Sequence, residues 1–392
     1  MGEVKSWASI LDEATRQQAE VVSRAPGVAG HVALMPDAHL GIGATVGSVI
    51  PTWSDTIIPA AVGVDIGCGM IAARTDLQSL PDDLRPLVGM FGRSIPAGVG
   101  GDHSRASRRA EEWFEADPVP EESVFDAAPV RRRGRGKKRD ARSMIARGKK
   151  QLGTLGSGNH FVEVCLDEAG AVWVVLHSGS RGIGNAIAEI FIEVAKSENA
   201  EELEDANTAR LAGSSFTTYI AMMEWAQRYA ATNRVFMMDA AIADLSRHAG
   251  EFEVVETINC HHNFAALEEH FGREVWITRK GAIKADTGDL GIIPGSMGTS
   301  TYIVEGKGNA DSYRSSAHGA GRMYSRGRAR KTFTTESLRE MMEGKAWNAN
   351  SAKKLLDEHP EAYKPIEQVM EDQRDLVSVK KRLTQMVNYK GT

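Results

Sequence analysis

The sequence predicts an α/β fold of the α+β kind, with mixed sheets around a central site. Three observations lead there. FVEVCL at 161–166 and AVWVVLH at 171–177 have the β-branched and aromatic composition of neighbouring strands. Residues 213–248 lack proline and internal glycine and read as one long helix. Glycine-framed polar segments recur between these elements, which suits loops that converge on chemistry rather than on packing. The chain has 392 residues, 42% hydrophobic and 25% charged, the balance of a globular protein. That length accommodates one large catalytic domain over 1–392, with a mobile basic excursion at about 100–150. No apolar run reaches the roughly 20 residues of a membrane helix, so no membrane association is expected. The opening MGEVKSWASI lacks the basic and apolar regions of a signal peptide. Three cysteines, Cys68, Cys165 and Cys260, are an odd and sparse set, which predicts a reducing compartment, the cytoplasm.

In order along the chain, residues 1–99 mix short apolar segments with glycines. The excursion follows: GGDHSR, an acidic stretch, then RRRGRGKKRDARSMIARGKK at 131–150. That run holds eleven Lys/Arg against one Asp, a local charge of +10 in a chain of net charge −5. It reads as a solvated loop, a polyanion contact, or both, and its Gly and Asp interruptions argue against a continuous basic helix. The strand pair comes next. A four-residue turn, Asp167–Gly170, pairs Leu166 with Ala171, which sets His160 opposite His177, Val162 opposite Val175 and Val164 opposite Trp173. In the long helix, Phe216, Ile220, Met223, Ala226 and Ala230 recur at helical spacing, and Asn233 continues that stripe as a buried bridging amide. From 334 to about 386 the tail reads as helices broken near Pro360 and Pro365.

The chemistry-bearing residues sit in the glycine-framed loops. Asp65 and Cys68, in VGVDIGCGM, are spaced so that a carboxylate and a thiolate can face one centre. Asp37 and His39, in MPDAHLGIG, read as a polar turn behind a metal. His160 in GTLGSGNHFVE and His177 in HSGSRGIGN lie beside exposed backbone N–H groups that favour anions, and Arg181 adds a bidentate phosphate donor. In CHHN at 260–263, adjacent histidines point to opposite sides of an extended chain, so one at most joins a given site. Arg279 and Lys280 flank a glycine turn. Ser296, Thr299, Ser300 and Thr301 form a candidate phosphate or ribose cradle, and His318 in SSAHGAGR lies among small residues that let a phosphorus centre approach. Each segment alone is compatible with an ordinary loop; together they are hard to explain by packing. The Asp, Cys and His inventory suits a borderline divalent ion and has room for two. No GxxxxGK[ST] phosphate loop occurs, and nothing in the set resembles a Ser-His-Asp triad.

VGVDIGCGM, GTLGSGNHFVEV, LHSGSRGIGN, NCHHNF, TRKGAIKA, GIIPGSMGT and SSAHGAGR, in this order from about Met35 to Lys390-Gly391, resemble the RtcB family of RNA-splicing and RNA-repair ligases. The resemblance implies a GTP- and Mn2+-dependent RNA ligase. Such an enzyme joins RNA 3′-phosphate or 2′,3′-cyclic phosphate ends to 5′-hydroxyl ends through a guanylyl-histidine and an RNA-ppG intermediate. It implies Asp65, Cys68, His160, His177 and His262 as ligands of two Mn2+ ions, Cys68 bridging them, and His318 as the guanylylated histidine. It implies guanylate contacts from Asn159, His160, Phe161, Val162, Glu163, His262, Asn263, Pro294, Gly295, Ser296, Met297, Thr301, His318, Gly319, Ala320, Gly321, Tyr363 and Lys390. Thr301 stands where some members carry serine, with the hydroxyl kept. The basic run at 131–150 has no counterpart in the resemblance. Two other functions fit the residues: a metal-dependent phosphohydrolase on the same scaffold, with water in place of RNA, and a non-catalytic RNA-binding protein working through the basic run.

Overall fold

The computed structural model describes residues 2–127, 140–199 and 203–391. Among the described residues there are fifteen strands, in chain order β1 (Val4–Ser6), β2 (Val32–His39), β3 (Val46–Trp53), β4 (Gly69–Thr75), β5 (Phe161–Leu166), β6 (Val172–Ser178), β7 (Val254–His261), β8 (Asn263–His270), β9 (Arg273–Lys280), β10 (Ala282–Lys284), β11 (Leu290–Pro294), β12 (Thr301–Gly306), β13 (Ser315–Ala317), β14 (Ala346–Trp347) and β15 (Val377–Lys390). They build a five-stranded sheet in the order β1-β2-β3-β9-β8 and a larger one in the order β11-β12-β15-β5-β6-β4-β7, with β14 on β15 and a small β10-β13 pair between. Most pairings are antiparallel; β1 with β2 and β14 with β15 are parallel. The expected mixed α/β architecture is therefore present.

The larger sheet has two buried faces. On one, Ile71, Val162, Val164, Val174 and Leu176 pack with Phe91, Met237 and Leu245 from helices. On the other, Met70, Ala72, Phe161, Cys165, Trp173 and Val175 pack with Ile258, Ile292 and Ile303, because β7 and β11, at opposite ends of the sheet, lie against each other. This second face ends at the candidate site.

The β5–β6 register differs from the expected one by one residue. Phe161 pairs with His177, Val162 with Leu176 and Val164 with Val174. The cause is the turn. The Asp167 N–H donates to the Ala171 carbonyl, and Asp167 Oδ1 accepts from the N–H groups of Ala169 and Ala171. Gly170 takes φ +85°, so only three residues cross the loop. A one-residue slip exchanges the faces, which puts Val162 and Val164 on the helix side and leaves His177 beside Phe161.

The long helix spans Gly213–Ala249. It buries more than one stripe: Tyr219, Met222, Trp225 and Tyr229 are as enclosed as Met223, Ala226 and Ala230. Each of these large side chains contributes about 2 kcal/mol on burial. Asn233 is the bridging amide expected on that stripe. Its Oδ1 accepts from the Gly153 N–H at 2.7 Å, and its Nδ2 donates to the Thr154 and Gly179 carbonyls.

Two expectations are corrected. The tail is helical only to Asp372; β15 then runs as a strand through 377–390, flanked by β12 and β5. In SVKKRLTQMVNYK, buried Leu383, Gln385 and Val387 alternate with the more exposed Arg382, Thr384 and Met386, a strand period hidden by helix-forming composition. The second half of the basic run is helical. Asp140 caps the Ala141–Gln151 helix by accepting from Ser143, so its carboxylate starts the helix that it was expected to interrupt. The remainder of the run, 131–139, lies outside the described residues.

Replacing Asn233 with Ala strands one buried N–H and two carbonyls. We expect a loss of about 3 kcal/mol, read as a lower urea midpoint with an unchanged denaturant slope.

Candidate active site

Cys68 ends a tight turn. Its N–H donates to the Asp65 carbonyl at 3.1 Å, and its own carbonyl accepts from His262 at 2.8 Å, which ties the start of β4 to the end of β7. Gly67 makes this possible: it holds φ +70°, and a Cβ there would lie 2.9 Å from Ala230 on the long helix. Arg234, fully buried one turn further on, donates to the carbonyls of Gly67 (2.8 Å) and Ser178 (3.2 Å) and to Asn259 Oδ1 (2.8 Å). Its remaining nitrogen meets His261 Nδ1, so His261 braces the scaffold while His262 faces the site. One of the two adjacent histidines joins, as the extended backbone predicts.

Five side chains converge. Cys68 Sγ lies 3.4 Å from His160 Nε2 and 3.2 Å from His177 Nε2. Asp65 Oδ2 is 3.1 Å from His160 Nε2, and His177 Nε2 is 3.1 Å from His262 Nε2. His160 and His177 meet despite the corrected register, because His160 sits just outside β5 and its Nδ1 is held by the Leu155 carbonyl at 2.8 Å. His177 Nδ1 bonds the Asn159 carbonyl at 3.2 Å. With both Nδ1 protons donated to carbonyls, both Nε2 lone pairs point inward. Burial, then the neighbouring histidines, hold His177 and His262 neutral well below the ordinary histidine range. Burial, then the Asp65 carboxylate, push the Cys68 thiol well above its usual value. Burial, the largest single influence, would raise Asp65 as well, but the hydrogen bond and charge of His160, the Cys68 hydrogen bond and the Arg181 charge together outweigh it and leave the carboxyl below its usual value. Facing imidazole lone pairs beside a thiol and a carboxylate repel one another unless a cation lies among them. Cys68, His160 and His177 form a group that could hold a metal ion, and the O, S and N donor set suits a borderline divalent ion.

His318 stands next to this cluster, its ring 4.7 Å from that of His262. Asp37 Oδ2 lies 2.6 Å from His318 Nδ1 and also accepts its backbone N–H at 3.2 Å. The buried carboxylate thereby fixes the proton on Nδ1 and leaves Nε2 free. This corrects the reading of Asp37 and His39 as a turn behind a metal. Both lie on β2, Asp37 backs His318, and His39, held neutral by burial with a pKa of about 4, lines the cavity without joining the cluster.

The same cavity, of about 430 Å3, is lined by Asn159, Phe161, Glu163, Asn263, Pro294–Met297, His318–Gly321, Tyr363 and Lys390, together with Asp65, Cys68, His177 and His262. His160, Val162 and Thr301 are not on its wall; His160 meets Cys68 and Asp65 instead. Val162 packs toward the helices, and Thr301 is buried in β12 opposite Pro294. Thr299 and Ser300 hold their own turn and Arg382 rather than facing the cavity. Arg279 is spent on Glu268, Ser315 and the Tyr313 carbonyl, whereas Lys280 reaches the cavity wall. Arg181 takes φ +56°, donates through Nε to Thr154 Oγ1 at 3.2 Å, and is not on the cavity wall.

Two carboxyls of the cavity contrast. Glu163 accepts from Asn388 at 2.6 Å on one oxygen, its other oxygen has no partner among the described residues, and burial raises it to about 8. Glu358 is equally buried, yet Lys390 (2.7 Å), Arg326 (2.6 Å), Arg322 (3.4 Å) and the Tyr363 hydroxyl (2.8 Å) surround it and keep it ionised below its usual value. Arg326, Glu358 and the role of Asp37 escaped the sequence reading. Arg326 left a signal in the basic SRGRARK run; Glu358, inside a stretch read as plain helix, left none.

The family profile described as tRNA-splicing ligase RtcB matches residues 18–391. The chain belongs to the RtcB family. The RNA-splicing ligase RtcB of Escherichia coli strain K12 is 42% identical, covering 99% of this chain and 97% of that protein. The tRNA-splicing ligases RtcB of Pyrobaculum aerophilum and Thermococcus kodakarensis are 32% and 30% identical, covering 95% and 91% of this chain and 89% and 86% of their own lengths. An RtcB-type RNA ligase is thus the enzyme class, and among the described residues no helix is long and apolar enough to cross a membrane.

Two outcomes follow from the geometry. Metal-depleted protein should lose thermal stability and regain it on addition of a divalent ion, and Cys68→Ala should show a much smaller ion-dependent rise in Tm. Glu163 binds its proton up to about pH 8 when folded but only to near its ordinary value of 4.5 when unfolded. Its contribution to stability is therefore full below pH 4.5 and falls as pH rises toward 8. Glu163→Gln should lose less stability than the parent protein between pH 5 and 9, measured by urea unfolding across that range.

Proposed function

We propose that this chain joins RNA ends bearing a 3′-phosphate, or a 2′,3′-cyclic phosphate after its opening, to 5′-hydroxyl ends, using GTP and two Mn2+ ions. The observation that carries the reading is His318: its Nδ1 is held by buried Asp37, its Nε2 is free, and four metal-competent donors, Asp65, Cys68, His177 and His262, line the same cavity, with His160 in contact with two of them. Asp65, Cys68, His160, His177 and His262 would hold the ions. Bound there, the ions offset charge on phosphoryl oxygens.

His318 Nε2 attacks the α-phosphorus of GTP, forming a P–N bond and releasing pyrophosphate. Asp37, hydrogen-bonded to Nδ1–H, stabilises the charge that the ring gains. An oxygen of the RNA 3′-phosphate then attacks the same phosphorus, breaking the P–N bond and leaving RNA-ppG. Attack of the 5′-hydroxyl oxygen on the 3′-phosphate forms the phosphodiester and expels GMP.

The pocket chemistry supports guanine. Glu163, kept protonated by burial, suits the N1–H and N2–H donors of the base once it gives up that proton on binding, and the Lys390 ammonium suits the O6 and N7 acceptors. Lys390 already lies over the Phe161 ring at 5.6 Å. Asn159, Asn263, the 294–297 turn, the 319–321 turn and Tyr363 complete our reading of the guanylate contacts; Val162 and Thr301 act from behind the wall. We read 1–392 as one catalytic domain working in the cytoplasm, in keeping with three unpaired cysteines.

Incubation with α-labelled GTP and Mn2+ should give acid-labile, base-stable label that His318→Ala abolishes and Asp37→Ala reduces at least about tenfold, since a positioned proton partner is worth 10²–10⁴ in rate. Ligation of a 3′-phosphate strand to a 5′-hydroxyl strand should stop when either GTP or Mn2+ is withheld. Phosphate release without label or joining would identify a hydrolase instead.

A further inference from the structure

The segment after His318 carries a feature that the reaction itself does not use. Residues 322–331 hold Arg322, Arg326, Arg328, Arg330 and Lys331 with no acidic residue among them. Three are held by Asp357 and Glu358: Arg322 and Arg326 reach the cavity, and Arg330 pairs with Asp357. Arg328 and Lys331, three apart on the Arg326–Thr332 helix and so on neighbouring positions of one face, are exposed and have no acidic partner among the described residues.

Arg328 is not a loose cation. Its guanidinium lies over the Tyr324 ring at 4.2 Å. Tyr324 leans on Phe333 at 5.4 Å, and Phe333 stacks flat on His359 at 4.1 Å and 5°. His359 is fully buried and its Nε2 bonds Ser337 Oγ at 3.1 Å. A ladder of four planar groups therefore runs from the core to the surface, with exposed Met323 beside its outer end. Through Arg322, whose Nε donates to the Tyr324 carbonyl at 3.0 Å, the ladder joins directly to the cavity wall.

We propose that Met323, Tyr324, Arg328 and Lys331 form the dock for single-stranded RNA that carries an end into the cavity. This rests on the RNA-joining reading above. Single-stranded RNA offers two things at once, phosphates for unpaired cations and free base faces for a held planar group. The face supplies both within one short segment. Arg328 and Lys331 take phosphates, and a base stacks against the supported Arg328–Tyr324 pair.

The test uses the full-length protein and a fluorescein-labelled single-stranded RNA with a 3′-phosphate, its Kd read by anisotropy at 50 to 200 mM salt, so that binding is measured without catalysis. Arg328→Ala/Lys331→Ala should weaken Kd roughly tenfold and reduce the slope of log Kd on log salt by about 1.4, since each single-strand phosphate contact contributes about 0.7. Arg328→Lys should keep the salt slope yet lose several-fold in affinity, because the planar face is gone. GTP labelling of His318, which involves no RNA, should be unchanged in both. Wild-type Kd and salt slope in the double variant would overturn the dock. Absence of labelling in the unmutated protein, with RNA binding still dependent on Arg328 and Lys331, would overturn the ligase mechanism and leave the dock standing.

Discussion

The buried Asn233–Arg234 pair on the long helix is the constraint from which the site follows. Asn233 fixes the backbone of 153–154 and of Gly179, and Arg234 fixes Gly67 and Ser178. Those backbones lead to His160, to the end of β6 and to the start of β4, so one turn of helix sets the origin of three ligand-bearing segments. A guanidinium with no carboxylate partner is costly to bury, and burial lowers its pKa to about 10. Two carbonyls, an amide oxygen and a histidine nitrogen satisfy it instead. Its positive charge lies close to Cys68 and favours the thiolate that metal binding requires.

The cavity then divides electrically. At the metal end, donors crowd with lone pairs inward, and the unfavourable contacts are relieved by cations. At the other end, cations crowd around Glu358, and Glu163 remains as a raised, half-satisfied carboxyl. His318 sits at the junction, and Asp37 behind it is acceptor to both its ring and its backbone N–H. On the proposed reading, a nucleotide bridging the junction would meet positive charge at its phosphates and paired donors and acceptors at its base.

Much of this was legible in residue types and spacing. The glycine-framed motifs point to Asp65, Cys68, His160, His177 and His318 because small neighbours and reactive side chains rarely coincide for packing reasons. The alternation rule for extended chain says that one at most of His261 and His262 joins, and the family resemblance picks out His262. The β5–β6 register was not legible, because a three-residue and a four-residue turn differ only in whether Asp167 folds back on Ala171 and Gly170 adopts positive φ. β15 was hidden by lysines whose helix propensity is overruled by pairing on both sides. Asp37 and Glu358 act through partners more than 280 and 30 residues away, a relation that no local pattern encodes.

The placement of β15 bears on when the cavity is completed during folding. Its residues lie far along the chain from β5, yet they slot between β12 and β5, where Lys390 faces Phe161 across more than two hundred positions of chain. A chain in which that segment has not yet paired has a gap through the middle of its larger sheet and a cavity missing the wall that Lys390 supplies. The cavity therefore closes only when a contact of long sequence separation forms, the slowest kind to find in folding.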